Sequence, residues 1–256
     1  MVLFCGGLGT RLREHSNTIP KPLVTIGPRP ILWHLMRYYA HFGHKQFVLC
    51  LGYGGEMIRE FFVDYNPYLT GDVTLGPRGG RIASNDSDIS DWQITMVDTG
   101  LHANLGERLL AVRRYVEDEE LFLANYSDQL SDLDFASYSA SFIASRADAG
   151  FLSVRPSQSF HYVETAPDGT VTALRPGGMA DHWVNGGYFI LRRSIFDYIE
   201  AGEELVEAPF SRLAAKGRLW TSRYEGFWQS MDTFKDKIKL DRMWGQRDTP
   251  WQLWDE

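Results

Sequence analysis

The chain has 256 residues, 44% of them hydrophobic, which is enough to bury one sizeable core, and its formal net charge is -7. That acidic balance argues against nucleic acid or an anionic membrane as a partner, because either selects a basic face; any phosphate must be held by local charges. Two cysteines occur, Cys5 and Cys50, both inside apolar runs and without metal-ligand spacing, so they read as small core residues in a reducing compartment. There is no basic-then-apolar leader, and no apolar run approaches the ~20 residues needed to cross a bilayer, so the expected location is the cytoplasm.

Residues 1–4 read as a short buried strand, which implies either a trimmed sheet edge or a start further upstream. It runs into Cys5-Gly6-Gly7-Leu8-Gly9-Thr10-Arg11-Leu12, where bare glycine amides can approach an anion. Arg11 offers a planar fork of donors and Lys21, between Pro20 and Pro22, a compact charge on a stiffened backbone. The loop lacks the Gly-Lys-Ser/Thr of a P-loop. It also lacks the third glycine and the downstream acid of a dinucleotide fingerprint, since Leu12 stands at that glycine and the second strand ends in Gly52-Tyr53-Gly54. A phosphate cradle of another kind and a ligand-free structural turn both remain open.

Pro30 suits the first turn of a helix over 30–40, with an apolar stripe of Ile31, Leu32, Leu35 and Met36 and a stop at Gly43. His34, His41 and His44 read as packing or surface residues. A strand over 46–51, a helix over 56–62, an excursion over about 66–91 and a strand over 92–97 follow, the rhythm of a parallel sheet with helices on its faces. Residues 105–116 read as a helix bearing Arg108, and the acid run 117–120 as a solvated turn. The apolar run 121–124 ends in Tyr126-Ser127-Asp128, placing Asp128 at the sheet edge where open α/β folds bind ligands. A helix over 135–146, a strand over 149–154, a hairpin over 160–174 and a strand over 183–191 come next. That last strand contains Gly186-Gly187, a pair that marks close approach of backbone or ligand. Helices are expected over 194–200, 208–216 and 234–244, with a strand over 219–224. The tryptophans of the tail, Trp244, Trp251 and Trp254, read as packing against the domain or a neighbouring subunit.

In order along the chain stand Gly-Gly-Leu-Gly-Thr-Arg-Leu, Pro20-Lys21-Pro22, Val97-Asp98-Thr99-Gly100, Asp128, Asn185-Gly186-Gly187 and Gly226-Phe227-Trp228-Gln229-Ser230-Met231-Asp232-Thr233. Together they resemble the sugar-1-phosphate nucleotidyltransferases, and within them the cytidylyltransferases. The resemblance implies a single Rossmann-like α/β domain over 1–256, with a mixed, mostly parallel sheet, helices on both faces, small β insertions and a C-terminal helical tail. It implies a homo-oligomer that joins CTP to a phosphorylated small molecule, with glucose 1-phosphate the leading acceptor, giving a CDP-sugar and pyrophosphate. Gly6, Gly7, Gly9, Thr10 and Arg11 would hold the triphosphate; Arg11, Lys21 and Asp128 would be catalytic, and Asp128 and Asp232 would hold Mg²⁺. Tyr126, Asn185, Gly186 and Arg175 would touch the acceptor, and Arg108 the cytosine.

Three departures concern the acceptor side. The family's Gly-Asp-Gly is Ser127-Asp128-Gln129 here, its Glu-Lys-Pro is Leu174-Arg175-Pro176, and its Phe-Gly is Phe160-His161. They keep two other readings in view, a cytidylyltransferase for a non-sugar phosphate or phosphonate and a catalytically silent nucleotide-binding homologue.

Overall fold

The computed structural model describes residues 1–7, 19–69, 74–75, 81–82, 87–155, 161–176 and 182–254. Gly9, Thr10 and Arg11 of the glycine loop lie outside the described residues, as does half of the excursion over 66–91. The chain begins with β1 (Val2–Phe4), then makes a 3-10 turn at Lys21–Leu23 and a small ladder of β2 (Thr25–Ile26) with β3 (Arg29–Pro30). Next come α1 (Ile31–His41), β4 (Gln46–Leu51), α2 (Gly55–Val63), the ladder of β5 (Thr74–Leu75) with β6 (Arg81–Ile82), and β7 (Gln93–Asp98). The middle of the chain supplies α3 (Leu105–Ala111), β8 (Leu121–Tyr126), β9 (Gln129–Ser131), α4 (Phe135–Ser145) and β10 (Ala149–Val154). The hairpin of β11 (His161–Thr165) and β12 (Val171–Pro176) precedes β13 (Val184–Asn185) and β14 (Phe189–Arg192). The chain ends through α5 (Ala208–Ala215), β15 (Leu219–Tyr224), β16 (Trp228–Ser230) and α6 (Phe234–Gly245).

Eight strands make the central sheet, with β1 between β8 and β4 and parallel to both. β7 extends it in parallel beyond β4, and on the other side β14 runs antiparallel between β8 and β10, which also pairs antiparallel with β13 and parallel with β15. This is the mixed, mostly parallel sheet expected. Side chains alternate across it, so Val2 and Phe4 join Val48, Cys50 and Ala124 in the core under α3 and α5, while Leu3, Leu49 and Leu123 join the core under α1 and α4. Helices therefore cover both faces. Cys5 and Cys50 are buried free thiols, and burial pushes Cys50 up to about 12, so it stays protonated and acts as a small apolar residue.

Three elements differ from the sequence expectation. The strand over 183–191 is broken at 186–188, where Gly187 and Tyr188 take φ of 75° and 52°. The break turns the Tyr188 amide onto Asn125 Oδ1 at 2.9 Å, and a Cβ at Gly187 would stand 3.0 Å from the Tyr126 ring and closer still to Asn125 and Gln129. The helix over 105–116 stops at Ala111 and continues as a 3-10 turn, and residues Arg193–Asp197 are likewise 3-10 rather than α.

The tail packs on its own chain. Trp251 is fully buried and donates Nε1–H to His34 Nδ1 at 3.4 Å, so the other ring nitrogen carries the proton toward Ile26 O at 3.0 Å. Trp244 meets the same imidazole edge-on, and burial lowers His34 to about 4, leaving it a neutral packing residue at physiological pH.

Candidate active site

The parallel strands deliver their C-terminal ends to one edge, and the site is built there. β1 leads directly into Gly6 and Gly7, β8 into Ser127 and Asp128, and β13 ends at Asn185. A cleft of about 370 Å³ opens beside the first two, lined by Gly6, Gly7, Lys21, Ser127, Asp128 and Asp232 among others. It adjoins a second, larger cleft of about 1090 Å³ that shares Tyr126, Asp128 and Asp232 and extends along α6.

Asp128 and Asp232 meet because β9 pairs with β16 antiparallel, in a register that sets Gln129 against Ser230. The next link in that direction is Met231 N to Asp128 O at 2.9 Å, so both acids emerge on one side of the ladder's end. Ser230 Oγ donates to Asp232 Oδ2 at 2.7 Å and orients it. Lys21 stands at the start of its 3-10 turn, held by Pro20 O receiving Leu23 N at 2.8 Å. Its ammonium bridges the acids, in contact with Asp128 Oδ2 and 2.7 Å from Asp232 Oδ1. Burial works against its charge, but the two carboxylates together outweigh burial and raise its pKa, so Lys21 stays a cation.

Two carboxylates converging on one buried cation are hard oxygen donors, and they suit a small divalent ion that completes its coordination with phosphate oxygens and water. No cluster of three or more His, Cys, Asp or Glu exists among the described residues, so a metal bound here would depend on its ligand for the remaining oxygens.

The other expected site residues fall into two groups. Tyr126 and Asn185 are brought together, with Asn185 Nδ2 donating to the phenol at 3.3 Å, Asn185 Oδ1 capping Gly187 N at 2.8 Å, and both side chains facing the larger cleft. Gly186 supports them from behind, its carbonyl held by Trp228 Nε1 at 2.9 Å.

Arg108, which also lines the smaller cleft, and Arg175 make up the second group, each held by protein partners. Arg108 is 4% exposed beneath the glycines, donating to Gly6 O at 3.0 Å, Leu51 O at 3.1 Å and Thr99 Oγ1 at 2.7 Å. Its donors brace the loop that carries Gly6, where an added Cβ would stand 2.6 Å from Nη2 and closer still to Nη1. Arg175 lies on the β11–β12 hairpin, outside both clefts, with its guanidinium Nε on Glu164 Oε1 at 2.8 Å.

Two features escaped the sequence reading. Ser127, one of the departures, lines the smaller cleft and turns its hydroxyl onto Phe4 O at 2.9 Å, tying β8 to β1. The cations that line the larger cleft come from α6, where their spacing of three and four residues was the available signal.

Comparison with known proteins agrees with this architecture. The sequence model described as nucleotidyl transferase matches residues 1–221. Glucose-1-phosphate cytidylyltransferase of Salmonella typhimurium is 37% identical over 268 residues, covering 99% of both chains, and that of Salmonella typhi is 36% identical with the same coverage. Mannose-1-phosphate guanyltransferase of Yarrowia lipolytica is 27% identical over 92% of this chain and 61% of its own. Among solved structures, HddC from Yersinia pseudotuberculosis superposes with a TM-score of 0.66 at 20% identity, covering 95% of this chain and 98% of that one. The same protein complexed with GMP-PN gives 0.63 at 19% identity. These last two show the shared fold.

Proposed function

Because the chain belongs to the nucleotidyl transferase family, we propose that it transfers a cytidylyl group from CTP to a sugar 1-phosphate, releasing pyrophosphate and a CDP-sugar. The observation that carries this is the Lys21 ammonium held between Asp128 and Asp232 beside the Gly6-Gly7 backbone, at the C-terminal edge of the sheet. It suits the chemistry. A phosphate monoester has its second pKa near ~6 and is already largely ionised at neutral pH, so no side-chain base is needed. Positioning and charge neutralisation carry the rate.

In this reading Gly6 and Gly7, with Gly9, Thr10 and Arg11, hold the triphosphate, and Arg11 steadies the departing pyrophosphate. Lys21 bridges toward the α-phosphate as charge builds there. Tyr126, Asn185 and Gly186 place the acceptor on the other side of Asp128. Members of the family generally use divalent metal ions; we assign Mg²⁺ to Asp128 and Asp232, where it would screen charge and polarise the phosphoryl oxygens. Arg108 shapes the nucleotide wall from beneath rather than reading cytosine. A cytoplasmic location fits this chemistry, and no helix among the described residues is long and apolar enough to cross a membrane.

Pyrophosphate release with CTP, Mg²⁺ and a panel of phosphorylated acceptors tests the proposal. Turnover is expected with a sugar 1-phosphate. No turnover with any acceptor alongside clear CTP binding would show a silent homologue, better use of every non-sugar acceptor would overturn the sugar assignment, and equal use of UTP would remove the cytidine assignment. Gly6→Ala is expected to lower kcat/KM for CTP by about 10- to 100-fold, since the new methyl group displaces Arg108 from beneath the loop. Steady-state kinetics with varied CTP checks this, and an unchanged value would show that the loop tolerates the shift.

A further inference from the structure

The larger cleft continues from Asp128 and Asp232 along one face of α6, which presents Lys235, Lys239 and Arg242 to it. These are four and three residues apart, the spacing that puts side chains on one helical stripe, and from Lys235 to Arg242 the stripe runs roughly 10 Å along the axis. The helix sorts its charges. Lys237 pairs with Asp241 and neither lines the cleft, whereas Lys239, which does, donates to a neutral group, Gln229 Oε1 at 2.6 Å. Arg242 makes no side-chain hydrogen bond or ion pair among the described residues.

The acids that line the cleft are committed elsewhere. Asp128 and Asp232 hold Lys21, and Asp236 caps α6 by accepting from Thr233 N at 2.8 Å and Thr233 Oγ1 at 2.7 Å. The far end of the cleft is thus cationic. Trp228 and Val184 also line the cleft and give it apolar surface suited to the C–H face of a sugar ring. Arg175 is exposed, paired with Glu164 and not among the residues that line this cleft.

We propose that Lys239 and Arg242 form a second anion subsite, and that the acceptor carries, besides the phosphate that attacks CTP, another anionic group at its opposite end. A second phosphate and a carboxylate share the required chemistry. The subsite rests on the transferase reading of the adjoining site, since that reading is what makes this cleft the acceptor's.

The test compares glucose 1,6-bisphosphate and glucuronic acid 1-phosphate with glucose 1-phosphate, all with CTP and Mg²⁺, using the full chain. One or both doubly anionic acceptors are expected to exceed glucose 1-phosphate in kcat/KM by at least about tenfold. In Lys239→Ala and Arg242→Ala that ratio falls toward one, and Arg242→Lys restores part of it. Calorimetric binding of the same acceptors in the presence of a non-hydrolysable CTP analogue reads the subsite without turnover. A wild-type ratio at or below one for both acceptors, or a ratio unchanged in both variants, overturns the subsite. Binding that depends on Lys239 and Arg242 without turnover of any acceptor would uphold the subsite while overturning the transferase reading.

Discussion

Lys21→Ala is expected to lower kcat by about 10³-fold, with a chain that still folds. The magnitude follows from what the ammonium does: it is a fixed positive charge, 15% exposed, beside the atoms where negative charge develops, and losing one preorganised donor of that kind costs about 10²- to 10³-fold. The variant also exposes a conflict that the lysine conceals. Without it, Asp128 and Asp232 face each other with no cation between them, and their like charges repel. The loss in melting temperature relative to wild type should therefore shrink when Mg²⁺ replaces EDTA. Thermal unfolding with EDTA or Mg²⁺ checks the electrostatic part and single-turnover kinetics the catalytic part. Near-normal turnover would remove Lys21 from the mechanism.

How far the site could be read in advance depended on whether each residue's role is local. Asp128 was legible because an apolar run that ends in an acid fixes both the strand and the edge at which the acid emerges. Lys21 was legible because its two flanking prolines leave its backbone little freedom, and the structure places it in a tight 3-10 turn. The break at 186–188 was not legible as geometry, since Gly-Gly signals a close approach without saying that Asn125 Oδ1 is what approaches. Arg108 lines the smaller cleft, but how it is held was not legible. A charged residue on a short helix reads as solvent-facing or ligand-facing, yet here its donors are absorbed by main-chain carbonyls at the ends of β1 and β4, which lie far away in sequence. Arg175 was read from its motif position alone, and its pairing was not legible: Leu174 stands where the family has an acid, and the arginine pairs with Glu164 of the same hairpin. The sheet order, with β1 between β8 and β4, depends on long-range pairing that no local pattern encodes.

The departure at Ser127-Asp128-Gln129 bears on how Asp128 can act. Ser127 is turned onto Phe4 O, and Gln129 is 7% exposed within the β9–β16 ladder, so each is held by the fold where it borders a cleft, and Asp128 between them lines both clefts. Each neighbour fixes the backbone on one side of the acid. This rigidity replaces the open backbone of a glycine pair with a position held from both sides, which is what a ligand to a small, geometrically demanding cation requires.

Asp128→Asn, the second large effect, follows from that position. The amide keeps the shape and removes the charge, so kcat is expected to fall by about 10³-fold, while Mn²⁺ binding measured by electron paramagnetic resonance in the presence of CTP weakens by at least about tenfold. Folding should suffer little. Asp128's main-chain bond to Met231 N is untouched, and Lys21 retains Asp232 at 2.7 Å, so the buried ammonium is not left without a partner and the stability loss should be about 1–2 kcal/mol. Asp128→Glu separates the two roles further, because it restores the charge one methylene out of place: it should recover stability and part of the metal affinity, and little of the turnover, since the geometry at the α-phosphate is what the reaction depends on. Denaturant unfolding, the metal titration and pyrophosphate release on the same two variants decide the point. A folded Asn variant with wild-type Mn²⁺ affinity would take Asp128 out of the metal site, and one with near-normal turnover would take it out of the mechanism altogether.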